Sequence, residues 1–163
     1  MWNRIFPQPA DNEYRGHKLA LWFFYLITTI TIVRSCIHMF KHDGGAQSIA
    51  TIPLDTFTES GAGAVIFIFA YWGLSQLMFG IFYLIVLLKY KSLIPLMYLT
   101  LILEYGGRLG LSFYKTIETT EQAPGAVANM VLPVVCMVMF FLSVNVPNQV
   151  QDQVSSSNTK NGE

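Results

Sequence analysis

The sequence predicts an all-α integral membrane protein, a bundle of four membrane helices with both termini cytoplasmic. Of its 163 residues, 53% are hydrophobic and only 12% charged, about half the charged fraction of an ordinary soluble domain. The charges are nearly absent from four long stretches. Each stretch is continuously apolar rather than alternating, so helices and not barrel strands are the means of crossing. Ten Lys and Arg balance ten Asp and Glu, which removes the basic surplus that would point to nucleic acid. The apolar content also excludes a disordered chain over most of the length.

Residues 1–18 form a cytoplasmic N-terminal segment and residues 19–146 the transmembrane domain. Its stretches are 19–40, with Arg34 as the single charge; 62–88, without charge; 93–114, containing Glu104 and Arg108; and 124–146, without charge. A helix rises about 1.5 Å per residue, so roughly 20 apolar residues cross the hydrocarbon core. The first run is longer than the apolar core of a signal peptide, and no small-residue cleavage site follows it. It is a retained span.

Lys and Arg in the short loops orient the bundle. Arg4, Arg15, Lys18, Lys89, Lys91 and Lys160 lie on one side, and Lys41 and Lys115 on the other. Trp22, Tyr90 and Tyr114 stand at the expected interfaces. Asp43-Gly44-Gly45 is a stop signal for the first helix, since glycine accepts the left-handed backbone of a helix end. The outer segment 43–61 follows. It is too polar to span, yet Ile49, Ile52, Leu54 and Phe57 are too apolar for a free loop. It is an ordered lid at the outer interface or an ordinary interfacial loop, with Pro53 breaking any long helix. Pro124 suits the first turn of the last helix, and Pro133 is expected to kink it. The polar tail, residues 147–163, is expected to be a disordered cytoplasmic segment.

The residues that carry information are the three charges inside the spans, because each costs at least ~2.5–3.5 kcal/mol near the bilayer centre. Helix rise places Glu104 near the midplane, with Arg34 and Arg108 roughly 6–8 Å further out. Glu104 and Arg108 share a helix face at i, i+4. His38, Gln76, Tyr105 and Asn129 fall at similar levels. Arg34, His38, Gln76, Glu104, Tyr105, Arg108 and Asn129 thus outline a polar pocket in the outer half of the bundle. One carboxylate beneath two guanidiniums leaves a surplus positive charge, which suits an anionic or carbonyl-bearing ligand. Two other readings stand beside it. Either the charges serve register alone, Glu104 neutralising Arg108 while Arg34 bonds to backbone carbonyls and Gln76, or they form a short proton or ion path.

Gly106 and Gly110 form a Gly-x-x-x-Gly, and Gly73 and Gly80 stand at heptad spacing; both patterns let another helix approach closely. His38, His42 and Asp43 have metal-site spacing, but the helix stop at Asp43 argues against it, and no metal is assigned. A single intramembrane histidine is too few for bis-histidine haem. Cys36 and Cys136 differ in depth by roughly 10 Å, judged from helix rise, too far for a disulfide. No cofactor and no catalytic residue is assigned from sequence.

In layout the chain resembles the DoxX-like group of small four-span membrane proteins. The likeness rests on length, Arg34 in the first span, the long outer segment with Pro53, and the Gly-rich stretches GLSQLMFG and EYGGRLG. The resemblance implies a bundle of the bacterial inner membrane, often associated with redox or respiratory partners. No site residue is carried over from it. The leading expectation is a protein that lies in the lipid bilayer and binds a small anionic ligand or lipid head group. The alternatives are an accessory subunit of a larger membrane complex and an enzyme acting on a lipid-soluble substrate, with Glu104 or His38 as acid or base. Nucleic acid is not an expected partner.

Overall fold

The computed structural model describes residues 1–145; the tail from 147 to 163 lies outside the described residues. The described chain is helical, with no strand: α1 (Trp2–Ile5), α2 (Lys18–Phe40), α3 (Glu59–Lys89), α4 (Ile94–Tyr114) and α5 (Pro124–Val144). The last four coincide closely with the apolar stretches. α2, α3 and α5 are long and apolar enough to cross a membrane, which makes this an integral membrane protein. α4 is as long as α5 at 21 residues, but Glu104, Arg108 and three glycines make it less apolar.

Local chemistry sets the helix ends. The His17 ring accepts from the Leu19 N–H at the start of α2, and the Thr58 hydroxyl accepts from the Gly61 N–H at the start of α3, satisfying donors that a helix leaves open. Glu59 opens α3 and Lys89 closes it, each at the terminus its charge complements. Pro95 and Pro124 occupy first-turn positions, and α5 continues through Pro133.

α2 packs along α3, and α4 along α5; the two pairs join mainly through α2 and α5, while α3 and α4 meet at few positions. Gly73 and Gly80 let α3 approach α2. A methyl group at Gly73 would lie 2.8 Å from His38 Cβ, and one at Gly80 would lie 2.8 Å from Ile32 Cγ1. The Gly-x-x-x-Gly of α4 behaves otherwise. Gly106, Gly107 and Gly110 face open space, so the close packing expected there is not made within the chain. Small residues permit approach but do not attract a neighbour unless larger side chains flank the contact.

The core lies toward the end where α2 begins. Phe24 meets Tyr83 and Tyr98 with ring centroids 5.6 Å apart in each case, and the Tyr98 hydroxyl donates to the Ala20 carbonyl. At the same end the N-terminal segment folds back on the bundle: His17 N–H donates to Leu142 O, and Asp11 and Ser92 share three hydrogen bonds. Lys91–Leu93 is a single tight turn between α3 and α4.

At the other end, the segment between α2 and α3 is folded. Ala46, Ile52 and Leu54 are buried against Ala62, Val65, Ile66 and Phe69, whereas Phe57 is exposed. Gly44 and Gly45 adopt positive φ, 59° and 76°, directly after α2 ends at Phe40. Asp43 ties the turn, accepting from the Gly45 and Ser48 N–H groups. Partial burial opposes ionisation of this carboxyl, but the Ser48 and Gly45 bonds and the nearby Lys41 charge prevail and hold it down to about 2. The segment then reaches the α4–α5 connection. The Thr51 hydroxyl donates to Glu121 O, and Thr120 donates to Thr51 O from both its N–H and its hydroxyl.

Candidate functional site

Three of the seven sequence-predicted residues converge on a tryptophan, and a fourth, Tyr105, lies against one of the three. Trp72 sits on α3 one residue before Gly73, one of the two glycines that let α3 approach α2. Arg108 lies 5.0 Å and Arg34 5.7 Å from the centre of its ring, measured to the guanidinium carbon. The His38 ring is 4.7 Å from the same ring. Tyr105, fully buried on α4, lies 5.2 Å below the Arg108 guanidinium. A cation over an aromatic face is favoured by the ring quadrupole, more so when desolvated. Trp72 therefore collects charge from α2 and α4 onto α3.

The polar contacts divide unequally. Arg108 and Glu104 form an i, i+4 ion pair with side chains only 16% and 23% exposed, and Gln76 Nε2 reaches the same carboxylate oxygen at 3.5 Å. Glu104 is thus committed to Arg108, with Gln76 in support. Arg34 has no ion-pair partner among the described residues; its Nε is wholly buried and unpartnered, and the polar groups beside it are the Tyr105 hydroxyl and the Glu104 carboxylate. The hydroxyls of Thr31 and Ser35 on its own helix bond back to carbonyls of that helix.

His38 Nδ1 lies 2.7 Å from Gly44 O. A carbonyl only accepts, so Nδ1 carries the proton and donates. In the neutral ring Nε2 is then a bare acceptor, buried and without a partner. Gln76 Oε1 is likewise buried and unpartnered. The site thus combines one cation without an ion pair of its own with two free acceptors.

No protein-family profile, curated protein sequence or solved structure matches the chain. Chemical argument from these residues therefore carries the functional reading.

Asn129 is half-buried on α5 and makes no hydrogen bond with the group. His42 is exposed beyond the end of α2, so it does not share a helix face with His38. Trp72 is the residue that sequence reasoning missed as a site member. Its position four residues before Gln76 on one helix face, beside a heptad glycine, was the available signal. Two cavities lie at the opposite end, against the N-terminal segment, and neither is lined by any of these residues.

Proposed function

We propose that this is a four-span membrane protein with cytoplasmic termini, whose outer half binds a small ligand through an anionic or carbonyl group. Arg34 carries the reading. A half-buried guanidinium with no carboxylate of its own is costly in a bilayer, and a ligand oxygen would compensate it. The free acceptors at His38 and Gln76 suit a ligand that also bears a donor. Commitment of Glu104 to Arg108 favours binding over proton transfer. The layout likeness to the DoxX-like group, with its bacterial inner-membrane location, agrees with this reading.

Native mass spectrometry of the detergent-purified protein tests it. A charge-assisted hydrogen bond contributes ~1.5–3 kcal/mol, so Arg34→Gln should lower occupancy of a co-purifying ligand by roughly 10- to 100-fold without altering thermal unfolding. Equal occupancy in both proteins would count against the site. A second reading, an accessory subunit, is favoured by the open face at Gly106, Gly107 and Gly110. It would appear in the same spectrum as a bound partner chain.

A further inference from the structure

The end of the bundle where α2 begins carries a separate, unassigned feature. The N-terminal segment folds against the α3–α4 turn and leaves a small notch of about 20 Å³ lined by Arg4, Arg15, Lys91 and the Glu13 carboxylate, with Ser92 and Tyr14 beside them. The notch shares Asn3, Pro7 and Arg15 with a neighbouring groove of about 560 Å³, whose walls include Trp2, Phe6 and Pro9.

The charges of the notch are unequally matched. Arg15 is held by Asp11 and Glu13. Arg4 and Lys91, both half-buried, have no carboxylate within ion-pair distance among the described residues. Arg4 makes only a 3.4 Å hydrogen bond to the Arg15 carbonyl. Partly desolvated cations of this kind call for a compensating anion. The notch has room for about one water-sized group, such as a single oxygen of an anion whose remainder lies in the adjoining groove.

The groove adds a second observation. Trp2 is 72% and Phe6 43% exposed, and their rings pack together at 4.9 Å. Exposed, paired aromatics beside unpaired cations at the end of membrane-crossing helices match the headgroup layer, where Trp and basic side chains both concentrate.

We infer that the notch between Arg4 and Lys91 is a phosphate-binding site, and that the phosphate is the head group of an anionic phospholipid whose glycerol region occupies the Trp2–Phe6 groove. The inference does not depend on the ligand proposed for Arg34, at the other end of the bundle. Specific contact also differs from general attraction to a negative surface, because Lys89 lies exposed at the end of α3 without lining the notch.

The test is native mass spectrometry of the full chain released from nanodiscs of equal parts phosphatidylcholine and phosphatidylglycerol. The proteins are wild type, Arg4→Gln, Lys91→Gln and, as a control, Lys89→Gln. Retained phosphatidylglycerol should exceed phosphatidylcholine in wild type. It should fall about fivefold in Arg4→Gln and in Lys91→Gln, the equivalent of ~1 kcal/mol per charge, and stay unchanged in Lys89→Gln. Circular dichroism melts confirm that the variants fold, and either notch variant alone suffices if the other does not. A parallel arm titrates inorganic phosphate into detergent-solubilised wild type and follows the melting temperature. Stabilisation by phosphate without selective lipid retention would reassign the notch to a free anion and overturn the lipid assignment. Equal loss in all three variants, or no preference for phosphatidylglycerol together with no phosphate effect, would overturn the site itself.

Discussion

Gly73 and Gly107 are both helical glycines in apolar surroundings, yet substitution should act on them in opposite directions. A Cβ at Gly73 would meet His38 Cβ at 2.8 Å and the Ser35 carbonyl oxygen at 3.0 Å. Both atoms are fixed to the α2 backbone, so the helices must separate. Gly73→Ala should therefore cost ~1–3 kcal/mol, the range of overpacked cores, and should draw Trp72 away from Arg34 and His38. At Gly107 nothing lies within 4 Å. Gly107→Ala should be neutral or stabilising by up to ~1 kcal/mol, because alanine loses less backbone entropy in a helix. Thermal unfolding of the two variants in one detergent checks both signs. A destabilised Gly107→Ala would mean that a partner covers that face in the purified protein. Arg34 shows the other residue-scale lesson. That Arg34 would turn toward the neighbouring helices was legible from the cost of a buried charge, whereas the groups it meets there were not. Whether Glu104 serves one arginine or two depends on the rotation of α2 against α4, which one sequence does not encode visibly.

At the scale of elements, the outer segment gave a mixed reading. Its apolar content distinguished it from a free loop, and Ile52 and Leu54 do pack on α3. Phe57 does not, since burial depends on the path of the turn after Pro53 and not on hydrophobicity alone. The clasp to the α4–α5 connection was invisible, because threonines in polar loops look alike until two loops meet. Thr51 holds φ at 56°, a backbone region rarely used by β-branched residues. Its hydroxyl bond to Glu121 O, 2.8 Å long, helps keep the segment over the end of the bundle where His38 contacts Gly44. Thr51→Val keeps the branched shape and removes that bond. The loss of one exposed hydrogen bond of ~1 kcal/mol should speed amide exchange at Thr120, whose N–H donates to Thr51 O, by roughly fivefold. Exchange unchanged at Thr120 would show that the clasp does not hold the two loops together.

For the whole molecule, the question is whether α4 crosses the membrane with the other three long helices. Hydropathy alone leaves it apart, because Glu104 and Arg108 dilute it, while the pattern of contacts argues for crossing. At one end Asp11 and Ser92 bond the N-terminal segment to the turn before α4. At the other, Thr120 after α4 meets Thr51 after α2. Between these points α4 runs 21 residues, about 31 Å at the rise of an α-helix, which matches a hydrocarbon core of roughly 30 Å. The ion pair that lowers its hydropathy faces Trp72 and Gln76 of α3. A four-span arrangement places Glu13 and Lys89 on the cytoplasmic side and Asp55 and Glu118 outside. A three-span arrangement, with α4 left on the inner surface, moves Glu118 to the side of Lys89. Single cysteines at these four positions, in a Cys36→Ser, Cys136→Ser background, separate the two with a membrane-impermeant maleimide applied to intact cells. The expected result is labelling at positions 55 and 118 only, with positions 13 and 89 labelled after lysis. Protection at 118 together with labelling at 55 would remove α4 from the membrane, and with it the polar cluster on which the proposed ligand site rests.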